Sequence, residues 1–431
     1  MNGFNLITKL SMFLTLTSLA LAASITQAQI ISPSGQEVNF KYQAHFTIPV
    51  SADEQTDQER AQLHASHLFG LFHTPKMIAQ YHIPGGMAGG IGSPRAHTNI
   101  QILSSEVIGD KVAITYSNAG KMLFHNNAAE VLLEKGYLDI PMPSDPYAIY
   151  DKKCTDEHYT SFGDYWYFYD IYREGCTYLS KPPMSEIVRI ALSSTTKKKM
   201  DLTPKLPMLR GDNKNGSLFL IYAIHGFESG PQKDDSGRVN YEEFNHYLSA
   251  NGFTEARMKP HSMNPMNIYT KKLILKDGKK INVEVRHLLA TTSISSGSVV
   301  FAQFFKEAIE TADVILYGGH SGLGGNLDLE LLQDKAGKFK FNPQKKQLFF
   351  FDSCSSYSYY LENFAAEKTK AKIDIISYAL SSYFHTSNSV WSALMDRLLD
   401  PDTKDPLWKD VLFDMESVLG GDTYLLNVGG I

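Results

Sequence analysis

Long apolar runs are nearly missing from this chain. Beyond residues 1–28 no stretch approaches the roughly 18 unbroken apolar residues of a membrane-crossing helix. A strong excess of charge is missing too. The formal net charge is −5, which argues against a nucleic-acid groove or a basic membrane-binding surface. No internal repeat is present. Three binding signatures are incomplete. Gly85-Gly86-Met87-Ala88-Gly89-Gly90 lacks the Lys-Ser/Thr of a phosphate-binding loop and reads as a flexible loop. His64 and His67 lie one helical turn apart, with His73 beyond, but no acidic or Cys partner is near, so zinc is not expected. Asp234, Ser236, Gly237, Val239 and Glu243 mimic part of a calcium loop, yet its first position is Gln232 and a strand precedes it. That run reads as a polar loop and helix cap. No cofactor or metal is expected.

Cysteine is scarce, with three in 431 residues. Their context comes from the N-terminus. Lys9 precedes an apolar stretch from Leu10 to Ala23, and small residues follow, with Thr26-Gln27-Ala28 or a site near Ala22 as the cleavage point. Residues 1–28 thus read as a signal peptide, and the mature chain is expected to be secreted or periplasmic, with no membrane span after cleavage. Loss of Lys9 takes the net charge from −5 to −6. In an oxidising compartment two cysteines normally pair. Cys154 and Cys176 share one aromatic-rich segment and are the natural disulfide. Cys354 is left as an unpaired thiol, either a nucleophile or a buried apolar residue.

The composition, 43% hydrophobic and 12% aromatic, is that of a globular protein, and the length points to more than one domain. A polar, basic stretch with Lys197-Lys198-Lys199, Pro204, Pro207 and Gly211 to Gly216 marks a linker at 196–216. It separates a smaller α+β domain, 29–195, from an α/β domain, 217–431. In the first, Phe40, Tyr42, Ala44, Phe46 and Ile48 alternate with polar neighbours as a strand. A helix is predicted from about Thr56 to Phe72, and a hairpin around Gly109-Asp110. Tyr165-Trp166-Tyr167-Phe168-Tyr169 reads as a core strand or a peptide- or glycan-binding surface. In the second, short apolar strands are predicted at Leu218–Ile224, Ile281–Leu289, Val314–Tyr317, Leu348–Phe351 and Ile373–Tyr378. Helices lie between them, one with Asn240 as its N-cap. This rhythm predicts a doubly wound, mainly parallel sheet with its chemistry at the carboxyl ends of the strands.

Two strand ends carry reactive side chains. One reads Val314-Ile315-Leu316-Tyr317-Gly318-Gly319-His320-Ser321-Gly322. The other reads Leu348-Phe349-Phe350-Phe351-Asp352-Ser353-Cys354-Ser355-Ser356. Adjacent strands lie about 4.8 Å apart, so His320 can meet Cys354 as its base, and the N–H groups of Ser321 and Cys354 can bind an oxyanion. Ser321 also sits in an imperfect nucleophile elbow, since Leu323 stands where the second Gly is required.

These two blocks resemble the caspase-like clan of cysteine peptidases, among them caspases, legumains, gingipains, clostripains and metacaspases. The local match is to the Tyr-Ser-Gly-His-Gly and Asp-Ser-Cys-His-Ser-Gly blocks of metacaspases, while the short gap between His320 and Cys354 is closer to gingipains. The resemblance spans about 218–399. It departs at Ser321, where the clan has Gly, and at Ser355-Ser356-Tyr357. It implies a caspase-like fold, a Cys354–His320 dyad and a peptide or protein substrate. It also implies that Asp352 holds a basic substrate side chain, with Glu228 and His225, after the first strand, as further pocket residues. His225 competes with His320 for the role of base. The alternative function is a non-catalytic exported binding protein on the same fold.

Overall fold

The computed structural model describes residues 30–50, 55–84, 89–95, 98–146, 152–154, 170–176, 184–195, 218–259, 264–293, 298–369, 372–402 and 406–430. The expected signal peptide at 1–28, the expected linker at 196–216, Gly85–Ala88 and Tyr165–Tyr169 lie outside these residues.

Alternating side chains build the first sheet. Strand β1 (Ile30–Ile31) is followed by β2 (Gly35–Pro49), in which Phe40, Tyr42, Ala44, Phe46 and Ile48 are all buried, as their period of two predicts. Helix α1 (Asp57–Phe72) starts at a Thr56 capping box with Glu59, and α2 (Pro75–Gln80) follows. Then come β3 (Gly92–Pro94) and the hairpin of β4 (Asn99–Ile108) and β5 (Lys111–His125). The hairpin turns at Gly109 with φ +66, a conformation glycine adopts without strain. Helix α3 (Asn126–Lys135), β6 (Tyr137–Pro143) and β7 (Ser185–Ser194) complete this part. The sheet is six-stranded and antiparallel, ordered β3-β5-β2-β7-β6, with β4 also on β5. Leu68, Phe72, Met77, Ala128 and Leu132 of the three helices pack on it. The Cys154–Cys176 disulfide is present and Cys354 is free.

The second part runs β8 (Leu218–Gly226), α4 (Ser236–Ala250), β9 (Thr254–Lys259), β10 (Met266–Ile274), β11 (Lys280–Ala290), α5 (Val299–Thr311) and β12 (Val314–Gly318). It continues with α6 (Leu329–Ala336), β13 (Gln347–Asp352), the short α7 (Ser356–Tyr359) and α8 (Leu361–Ala366), and β14 (Ile373–Tyr378). It closes with α9 (Phe384–Leu399), α10 (Trp408–Ser417) and β15 (Leu426–Gly429). The nine-stranded sheet is ordered β1-β15-β14-β13-β12-β8-β11-β10-β9. Its five central strands are parallel; the pairs at both edges are antiparallel. The sheet is therefore mixed, not mainly parallel. Short edge strands such as β15, and the half-exposed β10, carry no long apolar run to announce them. Successive residues of β12 face opposite cores: Val314 and Leu316 meet α4, α9 and α10, while Ile315 and Tyr317 meet α5 and α8. Burial on both faces explains why the central strands read as unbroken apolar runs.

Helix α4 corrects one expectation. Its N-cap is Asp235, not Asn240. Asn240 is buried inside the helix, where its side-chain amide donates to the Phe384 carbonyl at 2.7 Å.

One strand and a cluster of charges tie the two parts of the chain together. Ile30 and Ile31 pair with Gly429 and Val428, so β1 belongs to the larger sheet although it precedes the smaller one. Arg95, 1% exposed, donates to Glu37 of β2, to the Tyr357 hydroxyl of α7 and, at 2.6 Å, to Glu362 of α8. The Tyr357 hydroxyl donates to Glu37 at 2.9 Å, and Ser358 donates to the Pro94 carbonyl at 2.6 Å. The antiparallel sheet thus grips the helix that follows Cys354. Removing one partner of such a buried cluster strands the other charges, at a cost of about 3–5 kcal/mol. Arg95→Met is expected to lower stability by about that much, read as a lower urea midpoint.

Candidate active site

Strand register sets the floor of the site. Gly318 at the end of β12 is level with His225 of β8 on one side and Asp352 of β13 on the other. Level positions on parallel strands face the same way. Gly318 has no side chain, and Trp391 of α9 lies over it. A Cβ there would come within 2.9 Å of the indole. The indole stacks on His225 with ring centroids 4.1 Å apart. Its Nε1–H donates to Asp352 Oδ2 at 2.9 Å, and the Ser387 hydroxyl donates to the same oxygen. Oδ1 of Asp352 has no hydrogen-bond partner among the described residues. Burial outweighs the two donors and pushes the pKa of Asp352 up to about 6.

A cleft of about 360 Å³ opens above this floor. Glu228, His320, Asp352 and Cys354 line it, together with Tyr383 and His385 from the loop after β14 and the start of α9. Cys354 is half-buried, and its Sγ lies 3.6 Å from the Ser382 carbonyl. Burial raises the thiol pKa and the Asp352 charge adds to it, against hydrogen bonds from the Ser382 and Ser381 region that lower it. The thiol is therefore protonated at neutral pH, not held as a ready thiolate. Ser355, next in the chain, takes φ +50, a left-handed conformation that costs a non-glycine residue roughly 1–2 kcal/mol.

His320 is exposed at the cleft. Its Nε2 is 2.8 Å from the Glu228 carbonyl. A carbonyl only accepts, so Nε2 carries the proton and Nδ1 of the neutral ring is the free base. Phe384 meets the ring edge-on at 5.3 Å. The loop is pinned beneath: the His320 carbonyl accepts from the Tyr317 hydroxyl at 2.7 Å and the Asn326 amide at 2.8 Å, and the Ser321 carbonyl accepts from the Tyr360 hydroxyl at 2.7 Å.

The cleft therefore gathers Cys354, His320, Asp352 and Glu228. It does not gather His225 or Ser321. His225 is buried beneath Trp391, and its Nδ1 donates to His287 Nε2 at 2.8 Å, while His287 Nδ1 donates to Asn245 Oδ1 at 2.8 Å. Desolvation depresses the pKa of His225 to about 3 and that of His287 well below its ordinary value. His225 is a neutral support under the floor. Ser321 is buried outside the lining. The Gly319 N–H, which is at the cleft, already donates to the Asp352 carbonyl at 3.2 Å. Of the two residues expected from the sequence to supply oxyanion donors, only Cys354 lines the cleft.

Sequence reasoning missed the Glu228 carbonyl and the Trp391–Ser387 tether. A backbone carbonyl has no sequence signature. The loop after β14, by contrast, follows from the rule that chemistry gathers at strand ends. His64 and His67 lie in the first core, with His64 bonded to the Tyr116 hydroxyl and the Pro143 carbonyl at 2.8 Å each. Among the described residues no group of three or more His, Cys, Asp or Glu is placed to hold a metal ion, and no helix is long and apolar enough to cross a membrane. In comparison with known proteins, the chain matches no family model and no curated sequence.

The raised thiol pKa has a direct readout. Alkylation of Cys354 by iodoacetamide is expected to climb only above the range of a free cysteine, roughly pH 8.5. A rate already on its plateau in mild acid would show a preformed thiolate pair and contradict this reading.

Proposed function

We propose that this chain is an exported cysteine peptidase of caspase-like fold that cuts after Lys or Arg. One observation carries the proposal: two neighbouring parallel strands deliver Cys354 and His320 to one cleft, with the His320 ring held so that Nδ1 is its basic atom. The central strand order, which in sequence terms is 2-1-3-4-5, supports it. In such sheets the winding reverses between the first and third strands and ligands bind there. The disulfide supports an oxidising compartment.

In this mechanism His320 Nδ1 takes the thiol proton as Sγ attacks the scissile carbonyl carbon. The Cys354 N–H faces the oxyanion. The tetrahedral adduct collapses as His320 returns the proton to the leaving amine, and water, activated by His320, then releases the acyl group from Cys354. The protonated resting thiol makes this base assistance necessary.

Asp352 supplies the specificity. One oxygen is tied down and the other is left for a substrate cation, while Glu228 adds a second carboxylate on the rim. The high thiol pKa favours a second reading, a binding protein on the same fold.

Activity separates the two. Cys354→Ala is expected to abolish hydrolysis of Lys and Arg peptides, and His320→Ala to lower it about 10²–10⁴-fold, with the fold unchanged by circular dichroism. Normal turnover by Cys354→Ala would remove the mechanism. Matched fluorogenic peptides test the pocket. Asp352 is charged only above its pKa of about 6, so preference for Lys and Arg over a neutral isostere is expected to fall as pH drops through 6. Asp352→Asn is expected to lose that pH dependence; if it keeps the preference, Asp352 is not its source.

A further inference from the structure

The ring of His320 is only as well placed as the carbonyl it leans on, and that carbonyl belongs to an exposed loop. Glu228 follows β8 with no regular structure of its own. What fixes it is one carboxylate, that of Asp235. Its Oδ1 accepts from the Glu228 N–H at 3.1 Å and from the Gly237 and Arg238 N–H groups at the start of α4, at 2.9 and 3.2 Å. Its Oδ2 accepts from the N–H groups of Ser229 and Gly230, at 2.8 and 3.1 Å. The two oxygens divide the work: Oδ1 caps the helix and holds the Glu228 N–H, while Oδ2 folds the two residues that follow Glu228.

The surroundings leave this carboxylate little freedom. A Cβ on Gly237 would overlap the Gly226 carbonyl, so α4 begins directly against the end of β8. Asp235 itself is 6% exposed. Burial works to raise its pKa, but the hydrogen bonds from Ser229, Glu228, Gly230 and Arg238 prevail and hold it below the usual carboxylate range. It remains a charged acceptor throughout the range in which His320 has to act as a base. The rim carboxylate is gathered into the same unit, since Ser236 donates to Glu228 Oε2 at 2.5 Å.

We infer that Asp235 is a positioning residue for His320, acting through the Glu228 carbonyl to fix which imidazole nitrogen is basic and where it points. The inference deepens the peptidase reading and rests on it for its effect on turnover. The positioning itself is observable without turnover.

Asp235→Asn separates the two oxygens. Asn caps helices about as well as Asp, so its Oδ1 keeps α4 and the Glu228 N–H, while its amide group meets the Ser229 and Gly230 N–H groups with donors of its own and pushes the loop after Glu228 away. Imidazole nitrogen shifts of ¹⁵N-histidine-labelled protein, with His320→Ala supplying the assignment, are expected to show His320 as a single Nε2–H tautomer in the parent and as a tautomer mixture in Asp235→Asn. With Lys and Arg peptides the variant is expected to lose about ten- to 10²-fold in kcat with little change in KM or thermal midpoint, the scale of a slightly misplaced catalytic group. In the His320→Ala background the same substitution is expected to cause no further loss, because it acts through the missing ring. An unchanged tautomer in Asp235→Asn, or losses that multiply in the double variant, would overturn the inference. Absence of turnover in the parent with the tautomer shift present would instead overturn the peptidase reading and leave the positioning intact.

Discussion

The indole of Trp391 fills the space that Gly318 leaves empty, and the geometry of the cleft follows from that fit. Three parallel strands end level, and the middle one contributes no side chain at that level. The ring can therefore touch both outer strands at once, stacking on His225 and bonding Asp352. This fixes Asp352 two residues before Cys354 and occupies one of its oxygens. The same burial that permits the stack keeps His225 and His287 neutral, and it holds the Cys354 thiol protonated. A floor this dry strengthens the few charges left at its surface. It also leaves His320 as the exposed imidazole of the cleft, beside a protonated thiol.

Support comes from below by a second route. The antiparallel sheet reaches under Cys354 through Arg95, whose guanidinium joins Glu37, Tyr357 and Glu362. Tyr357 lies three residues after Cys354. The first part of the chain is thus a buttress of the site, and its core side chains, such as Phe69 stacked on Tyr359, continue into the second.

Much of this was legible in residue order. The alternation from Phe40 to Ile48 gave β2, and the apolar runs before His320 and Cys354 gave β12 and β13, because β2 buries one face and the other two strands bury both. Cysteine arithmetic found the Cys154–Cys176 bond. What escaped was set by partners distant in sequence. Asn240 with Glu243 satisfies a local capping rule, yet Asp235 wins because its carboxylate also collects three N–H groups from the loop before it. His225 looked like a cleft residue because it ends a strand; burial beneath Trp391, which comes six strands later in the chain, decides otherwise. The antiparallel edges of the large sheet are short or half-exposed, and no run of apolar residues marks them.

The pairing of β1 with β15 carries a consequence for the order of assembly. Ile30 finds Gly429 only after nearly all the intervening chain exists. The thermodynamic penalty is small, since closing a loop grows in cost only with the logarithm of its length. The kinetic one is larger. At the ribosomal pace of about 5–20 residues per second, the first strand waits tens of seconds for its partner. Trp391 and Ser387, which set the floor, are also made after Cys354. A nascent chain that already carries Cys354 has neither floor nor finished sheet edge, so the free thiol exists before the cleft that comes to surround it.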